Sequence, residues 1–156
     1  MRSRGFTLIE VVITVAIVGL LATAVFPLAE LTVQRNKEEQ LRDGLRKIRT
    51  AIDAYKEAAE EGRIEMEVGE SGYPPTLSVL VDGVTDVSDP NLPTIYFLRR
   101  IPRDPFHPDT SAEPADTWGL RSYESSADDP QPGDDVYDIY SFSNRDGLNG
   151  VPYREW

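Results

Sequence analysis

GFTLIEVVITVAIVGLLATAVFPLAE occupies residues 5–30, and the fold of this chain turns on how that stretch is read. Arg2 and Arg4 form a short basic head in front of Gly5 and Phe6. One carboxylate, Glu10, follows, and residues 11–29 carry no charge at all. A membrane-spanning helix needs roughly 20 predominantly apolar residues, so the run is long enough to place the chain in or across a membrane. Glu10 is the anomaly, because a carboxylate at the mouth of such a helix is costly and marks a functional position by default.

A secretory signal peptide would use Arg2 and Arg4 as its basic region and Ala22-Thr23-Ala24 as its cleavage site. An uncleaved signal anchor would use the same arginines to hold a short N-terminal arm in the cytoplasm. An ordinary signal peptide has no use for Glu10 at the mouth of its apolar region. Gly5-Phe6-Thr7-Leu8-Ile9-Glu10 followed by an apolar helix resembles the class III leader of type IV pilins and type II secretion pseudopilins. Gly5, Phe6, Glu10 and Pro27 all stand where that family places a Gly, a Phe, a Glu and a helix-kinking Pro.

The resemblance implies that a membrane peptidase cuts between Gly5 and Phe6 and that the new N-terminus at Phe6 is methylated. Residues 1–5 are then a leader, and residues 6–30 a retained transmembrane and polymerisation helix. In a stack of parallel helices, the Glu10 carboxylate of one subunit would pair with the Phe6 amine of its neighbour. Losing one partner of a buried charge pair costs ~3–5 kcal/mol, so such a contact would set an axial register.

Helical periodicity continues past the apolar run. Leu41, Leu45, Ile48, Ile52, Tyr55 and Ala59 step by 4, 3, 4, 3 and 4, a single apolar stripe on a charged segment covering residues 31–62. Glu38 and Arg42 are an opposite-charge pair at i,i+4, whereas Asp53 and Glu57 repel. Three heptads barely suffice for a coiled-coil seam, so the stripe is expected to lie against a small sheet. Gly62 reads as the helix stop. Pro27 should kink or loosen the helix. Gly19 and Gly44 each cost roughly 1 kcal/mol of helix propensity relative to Ala and read as soft points.

Residues 63–156 read as an α+β head. Tyr73-Pro74-Pro75-Thr76-Leu77 is a turn and extended stretch, and Leu77, Val79 and Leu80 begin a short helix or turn. Residues 86–93 are loop, and Ile95-Tyr96-Phe97-Leu98 is a brief apolar patch. Strands are expected at residues 118–124 and 136–142, separated by an acidic Pro/Gly loop that cannot bury itself. So few strands are marginal alone and must pack on the amphipathic helix. The expected fold is therefore α+β: a long N-terminal hydrophobic and amphipathic helix packed on a small antiparallel sheet, a type IV pilin-like lollipop.

The body narrows the resemblance. Tyr-Pro-Pro-Thr-Leu, then Tyr-Phe-Leu-Arg-Arg-Ile-Pro-Arg-Asp-Pro-Phe, then Trp-Gly-Leu-Arg-Ser-Tyr and the ending Asp-Ile-Tyr-Ser … Asp-Gly … Trp look like the G-type (major) pseudopilins of type II secretion. That branch implies a subunit of the pseudopilus, a filament that drives folded proteins across the outer membrane. It implies as partners further copies of the chain, other pseudopilins, the prepilin peptidase and an inner-membrane assembly platform. The location implied is the bacterial inner membrane, single-pass, with the head in the periplasm. A minor type IV pilin is the nearest alternative, and a signal-anchored periplasmic binding module is the alternative from another class.

The same resemblance implies a calcium ion in the loop after the last strand, held by aspartates and main-chain carbonyls. Asp146 matches the first acidic ligand there, and Ser143, Asn144 and Asn149 add side-chain oxygens. Calcium takes six to eight oxygens. The loop is shorter than the family's usual version, its second aspartate is missing, and Arg145 is an awkward neighbour. A metal-free turn with Asp146-Gly147 at its corner is the competing reading.

Composition excludes other classes. The chain has 156 residues, no cysteine and a formal net charge of −11, so disulfide staples and thiol chemistry are absent. Residues 82–138 hold thirteen acids against four arginines, which argues against a nucleic-acid partner. The single histidine, His107, sits between Phe106 and Pro108 with no nucleophile motif nearby, and the carboxylates show no acid–base spacing. No enzyme is expected. Trp118 and Trp156 read as packing anchors of the head.

Overall fold

The first helix, α1, runs Leu8–Glu60, 53 residues in one element. The computed structural model describes residues 7–156, apart from the side chains of residues 23–28. The chain forms two compact units, Met1–Asn36 and Lys37–Trp156, with α1 contributing to each. Residues 37–60 of α1 thus belong with the head, because that is where its apolar stripe is buried.

In the first unit, α1 is capped at its start and exposed over residues 8–22. The apolar side chains from Leu8 to Leu21 face outward on every side of the helix, Leu8 at 82% and Leu20 at 73% exposure. Among the described residues, no helix is long and apolar enough to cross a membrane. The stretch chosen from sequence, residues 6–30, includes Phe6 and the side chains of residues 23–28, which lie outside the description. Pro27 lies within the helical span of α1, and the kink expected there falls on those same residues.

The second unit is built on the stripe. Leu41, Leu45, Ile48, Ile52, Tyr55 and Ala59 are all buried, none more than 7% exposed. They form one core with Leu77, Leu80, Trp118, Val136, Ile139 and Tyr153. Each fully buried Leu or Ile contributes about 1.5–3 kcal/mol, so this face supplies most of what holds the helix to the head. A coiled-coil seam is not needed to account for the periodicity.

α1 ends as the sequence suggests. Gly62 has φ +71°, its N–H donates to Ala59 O at 3.0 Å, and Arg63 N–H donates to Ala58 O at 2.9 Å. This paired closure satisfies terminal carbonyls and needs a residue that tolerates the left-handed conformation. Gly44, in contrast, is no soft point. A Cβ there would stand 3.1 Å from Trp118 Cζ2, so the missing side chain is the space the indole fills.

The rest of the head comprises α2 (Val79–Asp82), β1 (Val84–Thr85), β2 (Thr94–Ile95), β3 (Trp118–Arg121) and β4 (Asp138–Ser141), with short 3-10 turns at Pro114–Thr117 and Tyr153–Glu155. The strands form two separate antiparallel pairs, where one small sheet was expected. β1 pairs with β2 through Val84↔Ile95 and Thr85↔Thr94, and β3 pairs with β4 from Trp118↔Ser141 to Arg121↔Asp138. The reason for the separation is where the backbone amides go. Phe97 and Leu98 N–H both donate to Leu80 O, which ends β2 at once. Pro102, Pro105, Pro108 and Pro114 then deny the following stretch ladder donors.

β3 and β4 are also shorter than expected. Ser122 N–H turns to Gln131 O, and Val136 N–H turns to Pro74 O at 2.8 Å. Those diversions fasten the acidic loop and the Tyr-Pro-Pro stretch to the sheet while stopping its ladder.

Candidate functional site

Two places carry the residues that sequence singled out. At the start of α1, Thr7 and Glu10 form a reciprocal cap. Glu10 Oε2 accepts from Thr7 N–H and from Thr7 Oγ1–H, each at 2.8 Å, and Glu10 N–H donates to Thr7 Oγ1 at 3.4 Å. This is the capping-box arrangement, in which side chains at N-cap and N3 satisfy amides that no helical carbonyl can reach. A carboxylate in the first turn also complements the helix dipole. One turn on, Thr14 Oγ1–H donates back to Glu10 O and Val11 O, both at 2.9 Å.

The second place is the loop after β4. Residues 143–152 close on themselves: Gly147 N–H donates to Val151 O, Gly150 N–H to Gly147 O and Tyr153 N–H to Arg145 O. Asp146 and Pro152 face each other as an isolated antiparallel bridge. The loop is then tied to α1 by two charged side chains. Glu38, only 4% exposed, takes both Leu148 N–H at 2.7 Å and Tyr153 Oη–H at 2.9 Å on Oε1. Arg49 donates from Nε to Asp138 Oδ1 at 2.8 Å, from Nη1 to Trp156 O at 2.9 Å and from Nη2 to Ile139 O at 3.1 Å. Between them the Arg42 guanidinium lies 4.4 Å over the Trp156 ring. Residues 38, 42 and 49 fall on one face of a 3.6-residue helix, so a single edge of α1 grips the whole C-terminal turn.

A third cluster explains the Arg-Asp-Pro-Phe stretch without assigning it chemistry. Asp104 is 1% exposed and accepts from Phe106 N–H at 2.8 Å and Ser141 Oγ–H at 2.6 Å. Its own N–H donates to Thr117 Oγ1. Arg103 caps the adjoining loop by donating to Ala112 O and Asp109 O. These bonds join the proline-rich connection to β4 and to the 3-10 turn that leads into β3.

The chain matches the family model described as "Prokaryotic N-terminal methylation motif" over residues 1–26. It is 30% identical over 114 residues to a type II secretion system core protein G from Klebsiella pneumoniae, covering 69% of this chain and 72% of the relative. It is 28% identical over 141 residues to the core protein G of Pectobacterium carotovorum subsp. carotovorum, covering 86% and 83% of the two chains. The chain belongs to the type II secretion system core protein G family. The likeness to the Vibrio cholerae core protein G, 29% over 137 residues, spans 85% of this chain and 86% of that one. No solved structure matches.

Within this core protein G family member, the sequence-derived residues divide cleanly. Gly5 and Phe6 lie outside the described residues, as does the side chain of Pro27. Glu10 is placed at the first turn of α1 with both Thr7 bonds on one oxygen. Asp146, Ser143 and Asn149 do share one loop, and Asp146 and Asn149 are exposed. Among the described residues, no three His, Cys, Asp or Glu side chains gather as a group that could hold a metal.

Two of the oxygens nominated for calcium are engaged within the loop. Asn149 Oδ1 accepts from Val151 N–H at 3.1 Å, and Ser143 Oγ accepts from Arg145 N–H at 3.4 Å. The exposed Asp146 carboxylate, the Asn144 amide and these two engaged oxygens fall short of the six to eight that calcium takes. Sequence reading missed Thr7 as the partner of Glu10, although a Thr followed three residues later by Glu is itself a helix-start signature. It also missed Glu38 and Arg49, which look like ordinary members of a charged helix face until the loop 100 residues away is folded onto them.

Proposed function

We propose that this chain is a pseudopilin, a structural and non-catalytic subunit of the type II secretion pseudopilus that drives folded proteins across the outer membrane. The observation that carries the reading is the first unit: a helix whose apolar side chains are exposed on all sides from Leu8 to Leu21, with one carboxylate, Glu10, at its start. A contiguous apolar surface of that kind demands a lipid or protein partner. A filament subunit needs both in turn, first the inner membrane and then its neighbours.

Processing follows from the leader. Cleavage after Gly5 by a prepilin peptidase exposes the Phe6 amine, which is then methylated. Pro27, a residue that removes one helical hydrogen bond, gives α1 a point of give within the packed filament. Glu10 uses Oε2 for Thr7, and its second oxygen is the one to meet the Phe6 amine of the next subunit. The assembly platform of the inner membrane adds subunits, other pseudopilins join the filament, and the head of residues 37–156 stands in the periplasm.

The test is the intact mass and N-terminal residue of the mature protein from its own host, with and without Glu10→Gln. Expected are a methylated Phe6 start in both forms, and filaments recoverable by shearing or cross-linking only for the wild type. A chain starting after Ala24 would overturn the reading, because it would discard the helix that assembly requires.

A further inference from the structure

The loop after β4 has the wrong polarity for a cation site. An ion gathers oxygens, and a loop that binds one turns carbonyls and carboxylates inward. Here the inward-facing groups are donors. Leu148 N–H and Tyr153 Oη–H both point at Glu38 Oε1, at 2.7 and 2.9 Å. Three of the loop's carbonyls are already accepting: Arg145 O from Tyr153 N–H, Gly147 O from Gly150 N–H, and Val151 O from both Gly147 N–H and the Trp156 indole N–H. Asn149 Oδ1 and Ser143 Oγ are engaged in the same way.

The positive charge at this end of the head is supplied by protein. Arg49 donates to Trp156 O and Ile139 O, Arg42 covers the Trp156 ring, and Arg145 sits beside Asp146 in sequence with its guanidinium over Phe106. Phe106 in turn stacks on Tyr153 at 4.0 Å between centroids. A divalent cation placed at Asp146 would be next in sequence to the cationic Arg145 and would compete for carbonyls that already accept hydrogen bonds.

We propose that residues 143–156 hold their fold without a divalent cation, and that the Glu38 carboxylate and the Arg49 guanidinium of α1 do the fastening a bound ion would otherwise do. Glu38 is a positioning residue. It accepts the Leu148 N–H and the Tyr153 hydroxyl in charge-assisted hydrogen bonds, the second of them buried in the head. The proposal does not depend on whether the chain assembles into a filament.

The experiment uses the full chain in detergent, stripped with EDTA and then returned to millimolar calcium. Thermal unfolding is followed alongside amide exchange of peptides covering residues 143–156. The midpoint is expected to agree within about 1 °C between the two conditions, whereas an ion at a hundred times its dissociation constant would raise it by roughly 5–10 °C. Glu38→Gln is expected to lower the midpoint by about 4–8 °C and to speed exchange of the loop by about tenfold or more, with no rescue by calcium. Asp146→Asn is expected to change neither readout.

If Glu38→Gln fails to fold, Tyr153→Phe, which removes one donor and keeps the ring, should show the same loop-specific exchange. Calcium raising the midpoint of the wild type, with Asp146→Asn abolishing that rise, would overturn the proposal. So would loop exchange that is indifferent to both Glu38→Gln and Tyr153→Phe.

Discussion

The Trp118 indole packs against Gly44: its Cζ2 and Cη2 atoms stand 3.1 and 3.2 Å from the place a Cβ would occupy, and its Nε1–H donates to Pro102 O at 2.8 Å. α1, β3 and the proline-rich connection therefore meet at one buried ring, 2% exposed. Helix propensity alone would make Gly44→Ala stabilising by about 1 kcal/mol. Overpacking a ring held by its own hydrogen bond costs about 1–3 kcal/mol, so the net effect is expected to be destabilising. Thermal unfolding of the variant decides the sign, and a higher midpoint would mean that the indole yields.

Arg49 reaches three acceptors from one planar group, a feat a lysine ammonium at the same place cannot match. Arg49→Lys is expected to cost about 1.5–3 kcal/mol in urea unfolding. Paired with Asp138→Asn in a double-mutant cycle, it should show a coupling clearly different from zero. Additive losses would mean that the Arg49–Asp138 contact at 2.8 Å contributes nothing of its own.

Asp86 gives the head an acid-sensitive point. Its carboxylate accepts from Ser88 Oγ–H at 2.6 Å and Ser88 N–H at 3.0 Å, and from Arg63 Nε at 2.9 Å. The Ser88 hydroxyl foremost, and then the Arg63 guanidinium, hold its pKa below the ordinary 3.8 against the opposing effect of burial. With the folded value depressed, the stabilisation is complete above pH 3.8 and disappears as the pH falls through that lower value. Stability measured across this acid range should decline less steeply in Asp86→Asn than in the wild type. Parallel curves would remove Asp86 from the account.

Thr7 and Glu10 share a cap, and their replacements are expected to differ in assembly. Thr7→Val removes the hydroxyl bonds and leaves the backbone N–H to Glu10 in place. Faster amide exchange in the first turn of α1 is expected, with filament formation retained. Glu10→Gln is expected to abolish assembly while disturbing the turn less. Equal loss of filaments in both variants would show that the cap itself, and not a contact to a neighbour, is what assembly needs.

Much of the molecule was written in local pattern. The steps of 4 and 3 from Leu41 to Ala59 marked the buried face of α1, and Gly62 marked its end, because helix periodicity and termination depend on near neighbours along the chain. The strands were located but overextended. Their ends are set by Gln131 O and Pro74 O, acceptors that only the folded chain brings within reach. The β1–β2 pair went unseen because two-residue strands have no period to detect.

The sites divide along the same line. The N-terminal methylation motif and the uncharged run behind it could be read directly, since Gly5, Phe6, Glu10 and that run are contiguous and owe nothing to the rest of the chain. What holds the C-terminal loop became visible only in the folded chain. Glu38 and Leu148 are 110 residues apart, and no local signal tells a buried carboxylate from its exposed neighbour Glu39. Which oxygens and amides of a loop remain to be satisfied is fixed by how its backbone closes, and that closure exists only once α1 lies against it.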